Sequence, residues 1–437
     1  MEHLLHYVWK HKLFPLNALQ TTTGSPIEVI DPGLHNRNAG PDFFNAKLKI
    51  DGTLWVGNIE IHTLATDWYR HGHDHDQAYN SVILHVASDI DTEVKRSNGE
   101  LIPQLQLTCP EHIRTHYEEL RQADQYPCCY SIIETLPKLT IHSWLTALQT
   151  ERLEQKAELI AQRLIGCGNN WEDAFFITLS RNFGFGLNGD TFERWAKTLP
   201  FRSIDKHRDN LFQIEAFFFG QAGLLEENTI PTSIPTLDAA QPITDDYYLR
   251  LQKEYHYLQH KFELPRSMTA SEWRFLRLRP ENFPTIRLAQ LAWLYQKGNT
   301  FFSQLMEAES LETVRTLLST RTSTYWEEHY IFRKPSPRKE KAMGENSLNL
   351  MIINTIIPFL YAYGIHKADD RMCDRASRFL NELKAENNHI IRSWSLAGLP
   401  VTSAADSQAL IQLQKEYCDK RKCLYCRFGY EYLKHHT

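Results

Sequence analysis

Two acidic side chains and a histidine near the start of the chain have the types and spacing of a metal site. Asp42 precedes an apolar run, an Asp-Gly pair at 51–52 follows that run, and Glu60-Ile61-His62 lies in the next one. This pattern predicts a two-stranded hairpin with an acid on each side. Because alternate residues of a strand point to the same face, Glu60 and His62 should face one way and Ile61 the other. Two carboxylates on adjacent strands suit a hard divalent cation.

The stretch behind this hairpin is rich in imidazole. The chain has 20 histidines in 437 residues, and five of them are His62, His71, His73, His75 and His85. Imidazoles mixed with carboxylates at this density indicate metal binding or acid–base chemistry. We expect His71 and His73 to share a face of an extended segment and to be secondary ligand candidates. His85 is a further secondary candidate, although its position within the apolar run VILHV is more typical of a hydrogen-bonded core residue.

The predicted secondary structure that positions these side chains changes from strands to helices along the chain. Short β-branched and aromatic runs between glycine and proline turns predict strands up to about residue 110, with helices at both ends. From Thr140 onward the apolar period is that of amphipathic helices, including one continuous helix at 298–319. The sequence therefore predicts an α/β domain with a mixed sheet and flanking helices over 1–135, and an all-α domain over 136–437.

Length, composition and net charge limit the kinds of protein that this chain can be. A chain of 437 residues with 42% hydrophobic content is long and apolar enough to form two folded domains. Its net charge of -5 creates no global field that would attract nucleic acid, so a polyanion site would have to be local. The start lacks the pattern of a signal peptide, and no run of 18 uninterrupted apolar residues occurs. We expect a cytoplasmic protein without a membrane partner.

The acid, turn, strand and Glu-x-basic order resembles the signature of the PD-(D/E)xK, or restriction-endonuclease-like, nucleases. Pro41-Asp42 would be the first element and Glu60-Ile61-His62 the second. The resemblance implies a nuclease fold in which Asp42, Glu60 and the backbone carbonyl of Ile61 hold Mg²⁺ or Mn²⁺. It also implies that the metal activates a water and stabilises charge on the phosphate.

His62 stands where the resemblance places a lysine. Lysine is a fixed cation, whereas histidine is largely neutral at pH 7. Three outcomes follow: His62 orients the water, joins the metal ligands, or marks a site that has lost hydrolysis. An additional upstream acid is common in such sites, and Glu28 or Asp31 would supply it.

Nearly the whole chain also resembles an uncharacterised bacterial family of unknown function. The motifs that carry this likeness are NAGPDF, GNIEIH, DWYRHGHDHD, AYNSVILHV, RNFGFGLNGD, RPENFPTIRLAQLA and YCDKRKCLYCRFG. The resemblance brings no known activity. RNFGFGLNGD lacks the spacing of a phosphate-binding loop, so we expect a turn between two helices there.

A second group of ligand-type side chains ends the chain. Cys418, Cys423 and Cys426 have the spacing C-x4-C-x2-C and need a fourth ligand to complete a tetrahedral site. Cys373 is the sulfur candidate, and the nitrogen candidates are His389, His435 and His436. Structural Zn²⁺, an iron–sulfur cluster and free buried thiols are the three interpretations. Basic and aromatic residues around these cysteines would contact phosphates and bases, or pack as an ordinary helix.

The function expected from these patterns is metal-dependent hydrolysis of phosphodiester bonds in DNA or RNA, by an active or degenerate nuclease. One alternative is a histidine-rich metallohydrolase of another substrate class that uses His62, His71 and His73 beside Asp42 or Glu60. A second alternative is a scaffold without catalysis that binds nucleic acid or a protein.

Overall fold

The computed structural model describes residues 2–15, 19–36, 38–124, 127–199, 201–226, 244–298 and 300–434. The chain forms two compact units. The first contains Met1–Trp144, Arg392–Pro400 and Leu413–Thr437, and the second contains Leu145–Ile391 and Val401–Gln412. This division differs from the expected boundary at 135, because the C-terminal segment with its cysteines belongs to the first unit.

A mixed, six-stranded sheet forms the centre of the first unit. Its strands are β1 (Ile27–Asp31), β2 (Leu34–His35), β3 (Phe43–Ile50), β4 (Thr53–Leu64), β5 (Val82–Asp89) and β6 (Gln104–Gln106). The order is β1-β3-β4-β5-β6, with β2 also paired to β3. Pairs on the β3 side are antiparallel, whereas β4–β5 and β5–β6 are parallel. The fold is therefore mixed α/β, as the sequence predicts.

Local chemistry explains the β3–β4 hairpin and the crossover after it. Asp51 and Gly52 both have positive φ, +50° and +78°, which matches the twist of a two-residue hairpin turn. A parallel partner for β4 requires a crossover, and the histidine-rich stretch provides it. Close packing of β4 on β5 depends on Gly57, where an added Cβ would lie 2.4 Å from Ile83 Cγ2.

Helices complete both units. The helices wholly within the first unit are α1 (Glu2–Lys10), α2 (Asp67–Arg70), α3 (Glu111–Gln122) and, at the C-terminal end, α19 (Arg427–Lys434). The intervening helices are α4 (Lys138–Gly166), α5 (Trp171–Phe183), α6 (Gly189–Lys197), α7 (Phe201–Asp205), α8 (Leu211–Gln221), α9 (Asp246–Lys261), α10 (Pro284–Gln296), α11 (Phe301–Glu307), α12 (Leu311–Leu318), α13 (Thr324–Glu327), α14 (Glu345–Met351), α15 (Ile357–Lys367), α16 (Asp370–Glu382), α17 (His389–Leu396) and α18 (Ala404–Gln412). Single π-helical turns at Ile352–Ile356 and Leu413–Cys418 follow α14 and α18.

The second unit departs from the prediction in two places. It is not all-helical, because β7 (His329–Ile331) and β8 (Lys334–Pro335) form a small antiparallel hairpin. The single helix expected at 298–319 is two helices, α11 and α12, because the Ser310 hydroxyl accepts a hydrogen bond from Thr313 N at 3.1 Å and starts a new helix. The RNFGFGLNGD motif does connect two helices, α5 and α6.

One apolar helix of the described residues, Glu345–Lys367, has the length and composition of a membrane span. Within its most apolar window, 61% is buried inside the protein. Ile352, Phe359 and Leu360, for example, have no exposed surface. This burial is what a core helix of a folded domain requires.

Candidate metal centre

Asp42 is placed by a turn that a single asparagine organises. The Asn36 amide donates hydrogen bonds to the carbonyls of Asn38 at 3.1 Å and Pro41 at 3.0 Å. Asn36 N also donates to Asp42 O at 2.7 Å. Since Phe43 pairs with Ile59 in the antiparallel register, this turn brings Asp42 to the level of Glu60.

The two acids of the predicted hairpin are held together by reciprocal hydrogen bonds. Asp42 N donates to Glu60 Oε2 at 3.1 Å, and Ile61 N donates to Asp42 Oδ2 at 2.9 Å. Glu60 is 5% exposed. The structure therefore brings the two acids together where the start of β3 lies opposite the second half of β4.

The closeness of the two acids and their burial change the pKa of Glu60. Burial, followed by the charge of Asp42, raises the pKa of Glu60 to about 9. A divalent cation between the carboxylates would offset both causes by supplying opposite charge. The pair has the oxygen donors that Mg²⁺ and Mn²⁺ prefer.

Three imidazoles lie on the other side of Glu60. Glu60 Oε1 is 3.5 Å from His62 Nε2 and 3.3 Å from His73 Nε2. His71 Nδ1 is 3.2 Å from His62 Nε2. One donor atom from each of the three histidines lies within 4.8 Å of the other two. Glu60 therefore contacts Asp42 through one oxygen and the histidines through the other.

His71 and His73 reach this position by a route that the sequence did not predict. They do not lie in an extended segment, because His71 N bonds to Asp67 O and His73 N bonds to Trp68 O in the turns after α2. His73 then stacks on Tyr79 with ring centroids 3.8 Å apart. The crossover, rather than a strand period, directs both imidazoles toward His62.

A chain of hydrogen bonds assigns the tautomer of His62. Gln104 Nε2 donates to Thr92 O at 3.0 Å and lies 3.4 Å from His85 Nδ1, which makes that nitrogen the acceptor. His85 Nε2 then carries the proton and donates to His62 Nδ1 at 2.9 Å. The proton of His62 is therefore on Nε2, facing His71 Nδ1 at 3.2 Å and Glu60 Oε1 at 3.5 Å.

The same histidines are neutral. Burial, followed by the neighbouring imidazoles, lowers the pKa of His62 to about 2, and burial lowers the pKa of His85 to about 4. Burial also lowers the pKa of His73. Their contacts with Glu60 are thus not ion pairs. His85, predicted to be a core residue, is fully buried and orients His62.

His6 on α1 is a member of this site that sequence reasoning missed. Its Nε2 is 3.3 Å from Asp42 Oδ2. Burial alone would lower the pKa of His6, but the adjacent Asp42 carboxylate outweighs burial and raises it. Two histidines three apart on α1, His3 and His6, were the available signal.

A cavity of about 290 Å³ opens beside Asp42. Its walls come from α1, from the turn before β3 and from the C-terminal segment of the first unit. The lining residues are His3, His6, Tyr7, Lys10, His35, Asn36, Asn38, Asp42, Leu424 and Tyr425. The cavity gives a ligand of modest size access to the Asp42 side of the pair.

Three other residues of the predicted site lie outside the Asp42–Glu60 and histidine groups. Glu28 is on β1, beyond β3, where its carboxylate is 3.0 Å from Lys49 Nζ on an exposed face. Asp31 accepts a hydrogen bond from Gly33 N at 2.9 Å in an exposed turn. His75 is exposed and lies beside Asp74. The upstream acid expected from the nuclease resemblance is therefore neither Glu28 nor Asp31.

The cysteines form a different group from the expected one. Cys373 belongs to the second unit, where its sulfur contacts Tyr361 O at 3.7 Å, whereas Cys418, Cys423 and Cys426 belong to the first. Their neighbours are instead Cys128 and Cys129 of the first unit, with which they interact electrostatically. Among the nitrogen candidates, His389 lies in the second unit, and His435 and His436 fall outside the described residues.

Most basic residues around these cysteines have structural partners. Arg421 donates to the carbonyls of Leu120 at 3.0 Å and Ala123 at 2.9 Å. Arg427 donates to Ser143 Oγ at 2.6 Å, and Lys420 is paired with Glu416. The packed-helix interpretation of this segment accounts for these contacts.

Comparison with known proteins places the chain in a family. No curated protein matches it, and no solved structure matches it. The family model described as protein of unknown function (DUF2851) matches residues 2–389, nearly the whole chain. The chain is therefore a member of the DUF2851 family.

Proposed function

We propose that this protein is a cytoplasmic hydrolase that cleaves phosphodiester bonds of nucleic acid with Mg²⁺ or Mn²⁺. The observation that carries the proposal is the reciprocal pairing of Asp42 and Glu60, with bonds of 3.1 and 2.9 Å between each acid and the backbone of the other's strand. Glu60 lies on β4, and Asp42 lies in the hydrogen-bonded turn directly before β3, so fixed backbone positions both carboxylates, as a metal site requires. Ile61 would add its backbone carbonyl as a further ligand.

The role of His62 follows from its tautomer. A neutral imidazole with its proton on Nε2 is a hydrogen-bond donor at the position where the resemblance places a lysine. In this role His62 positions the attacking water or a phosphate oxygen, while His85 and Gln104 hold its ring. The metal, when bound, supplies Lewis-acid stabilisation of the phosphate. His62 would thus act as a neutral substitute for the lysine donor.

The cavity beside Asp42 fits a phosphate-bearing substrate. His3, His6 and Lys10 of α1 line it together with the amide side chains of Asn36 and Asn38. These groups provide local donors and positive charge in a chain whose net charge is -5. A nucleic-acid strand would therefore be attracted by this cavity rather than by the protein as a whole.

A second candidate, a transition-metal hydrolase of another substrate class, is favoured by the three imidazoles. Donor atoms of His62, His71 and His73 within 4.8 Å, with Glu60 adjacent, resemble the ligand set of Zn²⁺, Mn²⁺ or iron. If His62 Nε2 were a metal ligand, its proton would have to move to Nδ1. His85 Nε2 would then accept that proton's hydrogen bond, and His85 Nδ1 would donate to Gln104 instead of accepting from it. The nuclease proposal needs no such rearrangement.

Cleavage assays with matched variants test the proposal. The full chain would be incubated with single- and double-stranded DNA and RNA, in Mg²⁺, Mn²⁺ or Zn²⁺, beside Asp42→Asn, Glu60→Gln and the control Glu28→Gln. We expect wild type and Glu28→Gln to cleave, and the two site variants to be inactive. Equal cleavage by all four proteins would refute the assignment. Tightly retained transition metal without cleavage would favour the second candidate, and salt-dependent binding without cleavage would favour a scaffold.

A further inference from the structure

Five of the eight cysteines gather at one place in the first unit. Cys128 and Cys129 lie between α3 and α4, and the other three follow α18. Cys426 interacts electrostatically with Cys129, Cys418 and Cys423. All eight cysteines of the chain are free thiols. Arg421, between Cys418 and Cys423, lies 2.9 Å from the Cys128 sulfur, so two chain segments almost 300 positions apart meet at these cysteines.

The loop that carries Cys423 and Cys426 is tightly folded around them. Cys423–Tyr425 forms one 3₁₀ turn, and Cys426 directly precedes α19. The Cys426 side chain is buried in this loop, and burial raises the pKa of its thiol. A Cβ on Gly429 would lie 2.2 Å from Cys423 O, so only glycine fits there. A bound cation would offset this effect of burial, because a thiol that coordinates a metal is deprotonated.

An arginine fastens this loop to the segment with Cys128. Arg421 has a left-handed backbone, φ +51°, between Cys418 and Cys423. Its guanidinium donates to Leu120 O and Ala123 O, and it lies 2.9 Å from the Cys128 sulfur. The Arg421 guanidinium thus places a positive charge beside the five cysteines. Its contact with the Cys128 sulfur gives that sulfur a hydrogen-bond partner within the protein.

We propose that Cys129, Cys418, Cys423 and Cys426 are the four ligands of an iron–sulfur cluster. Cys129 and Cys426 are 8% exposed, as expected for a shielded cluster, and four thiolates are the usual ligand set of [2Fe–2S] and [4Fe–4S] centres. The C-x4-C-x2-C order with a distant fourth cysteine also occurs in plant-type ferredoxins. Cys128 is a neighbour of the cluster and not a ligand.

The cluster would shape the cavity beside Asp42. Leu424 and Tyr425, which lie between two of the ligands, line that cavity together with His6 and Lys10 of α1. A cluster that fixes both ends of this short turn therefore fixes one wall of the cavity. The cluster is structural in this proposal and requires no electron transfer.

Metal and sulfide analysis tests the cluster independently of any cleavage assay. The full chain, purified without oxygen, would be analysed for iron, acid-labile sulfide and zinc, and for sulfur-to-iron charge-transfer absorption. Cys129→Ser and Cys426→Ser are the test variants. Cys128→Ser and Cys109→Ser are the controls, since Cys109 is half-buried in the same unit and its sulfur donates a hydrogen bond to Pro110 O at 3.5 Å.

We expect iron and sulfide in comparable amounts in wild type and in both controls, and loss of both elements in the two test variants. If those variants do not fold, wild type stripped by a chelator and reconstituted with ferrous iron and sulfide replaces them. Recovery of the absorption then supports the proposal. Stoichiometric zinc without iron, failure of reconstitution, or an intact cluster in Cys129→Ser would each overturn it.

Discussion

Replacement of Asp42 separates its structural role from its role as a ligand. Its Oδ2 accepts the Ile61 N–H at 2.9 Å. Asp42→Ala leaves that buried donor unpaired, which costs about 1–3 kcal/mol. Asp42→Asn keeps an acceptor oxygen and should cost less than about 1 kcal/mol. Both variants remove the charge that would bind the metal, so both should lose affinity for Mn²⁺.

The loss of affinity can be estimated. Removing even an indirect partner of a metal ligand costs 10- to 100-fold in affinity, so loss of a direct carboxylate should cost about 100-fold or more. At a Mn²⁺ concentration 100 times the wild-type Kd, metal stabilises wild type by about 2.7 kcal/mol. A Kd 100-fold higher leaves about 0.4 kcal/mol, from RT ln 2.

Two experiments measure the Mn²⁺ affinity and the stability of the first unit. Calorimetric titration with Mn²⁺ gives the affinity, and hydrogen exchange of the β4 amides gives the local stability of the first unit without assuming that both units unfold together. Unchanged Mn²⁺ affinity in Asp42→Asn would refute the assignment of Asp42 as a ligand. Equal metal-free protection in Asp42→Ala and Asp42→Asn would refute the hydrogen-bond argument.

Three further predictions concern single side chains. His62→Ala should slow cleavage about 10²- to 10⁴-fold while Mn²⁺ affinity stays near wild type; a large loss of affinity would make His62 a ligand instead. Glu215 is fully buried, and burial raises its pKa from 4.5 to about 7. The folded protein therefore retains a proton that the unfolded chain releases, and stability falls as pH rises from about 4.5 to 7. Glu215→Gln should reduce the fall in the free energy of unfolding between pH 5 and 8, measured by urea unfolding, by about 3 kcal/mol. The same pH dependence of that free energy in wild type and in Glu215→Gln would contradict this. Gly57→Ala should lower the stability of the first unit by about 1–3 kcal/mol, because its Cβ would meet Ile83 Cγ2; unchanged β4 hydrogen exchange would contradict it.

The convergence of Asp42 and Glu60 could be predicted because it depends on local rules. An Asp-Gly turn sets the hairpin, and strand alternation then directs Glu60 and His62 to one face. The mixed sheet with flanking helices follows from the same short-range patterns. Each of these inferences uses neighbours in the chain and needs no tertiary information.

What could not be predicted depends on long-range packing. His6 reaches Asp42 only because α1 packs against the end of the sheet, and nothing in its own helix specifies that contact. The sequence predicts Cys373 as the fourth ligand of the C-terminal cysteines, but Cys373 belongs to the second unit. Cys129, which we propose instead, precedes Cys418 by 289 positions, so no local pattern connects the two. The division of 298–319 into α11 and α12 was missed because a single capping hydroxyl, Ser310, outweighs a continuous apolar period.

A crystal structure with Mn²⁺, with anomalous data collected at the manganese edge, tests the central claim most directly. We expect one anomalous peak within about 2.3 Å of carboxylate oxygens from both Asp42 and Glu60, with His62 Nε2 outside bonding distance. A peak coordinated by His62, His71 and His73, with none at Asp42, would contradict it.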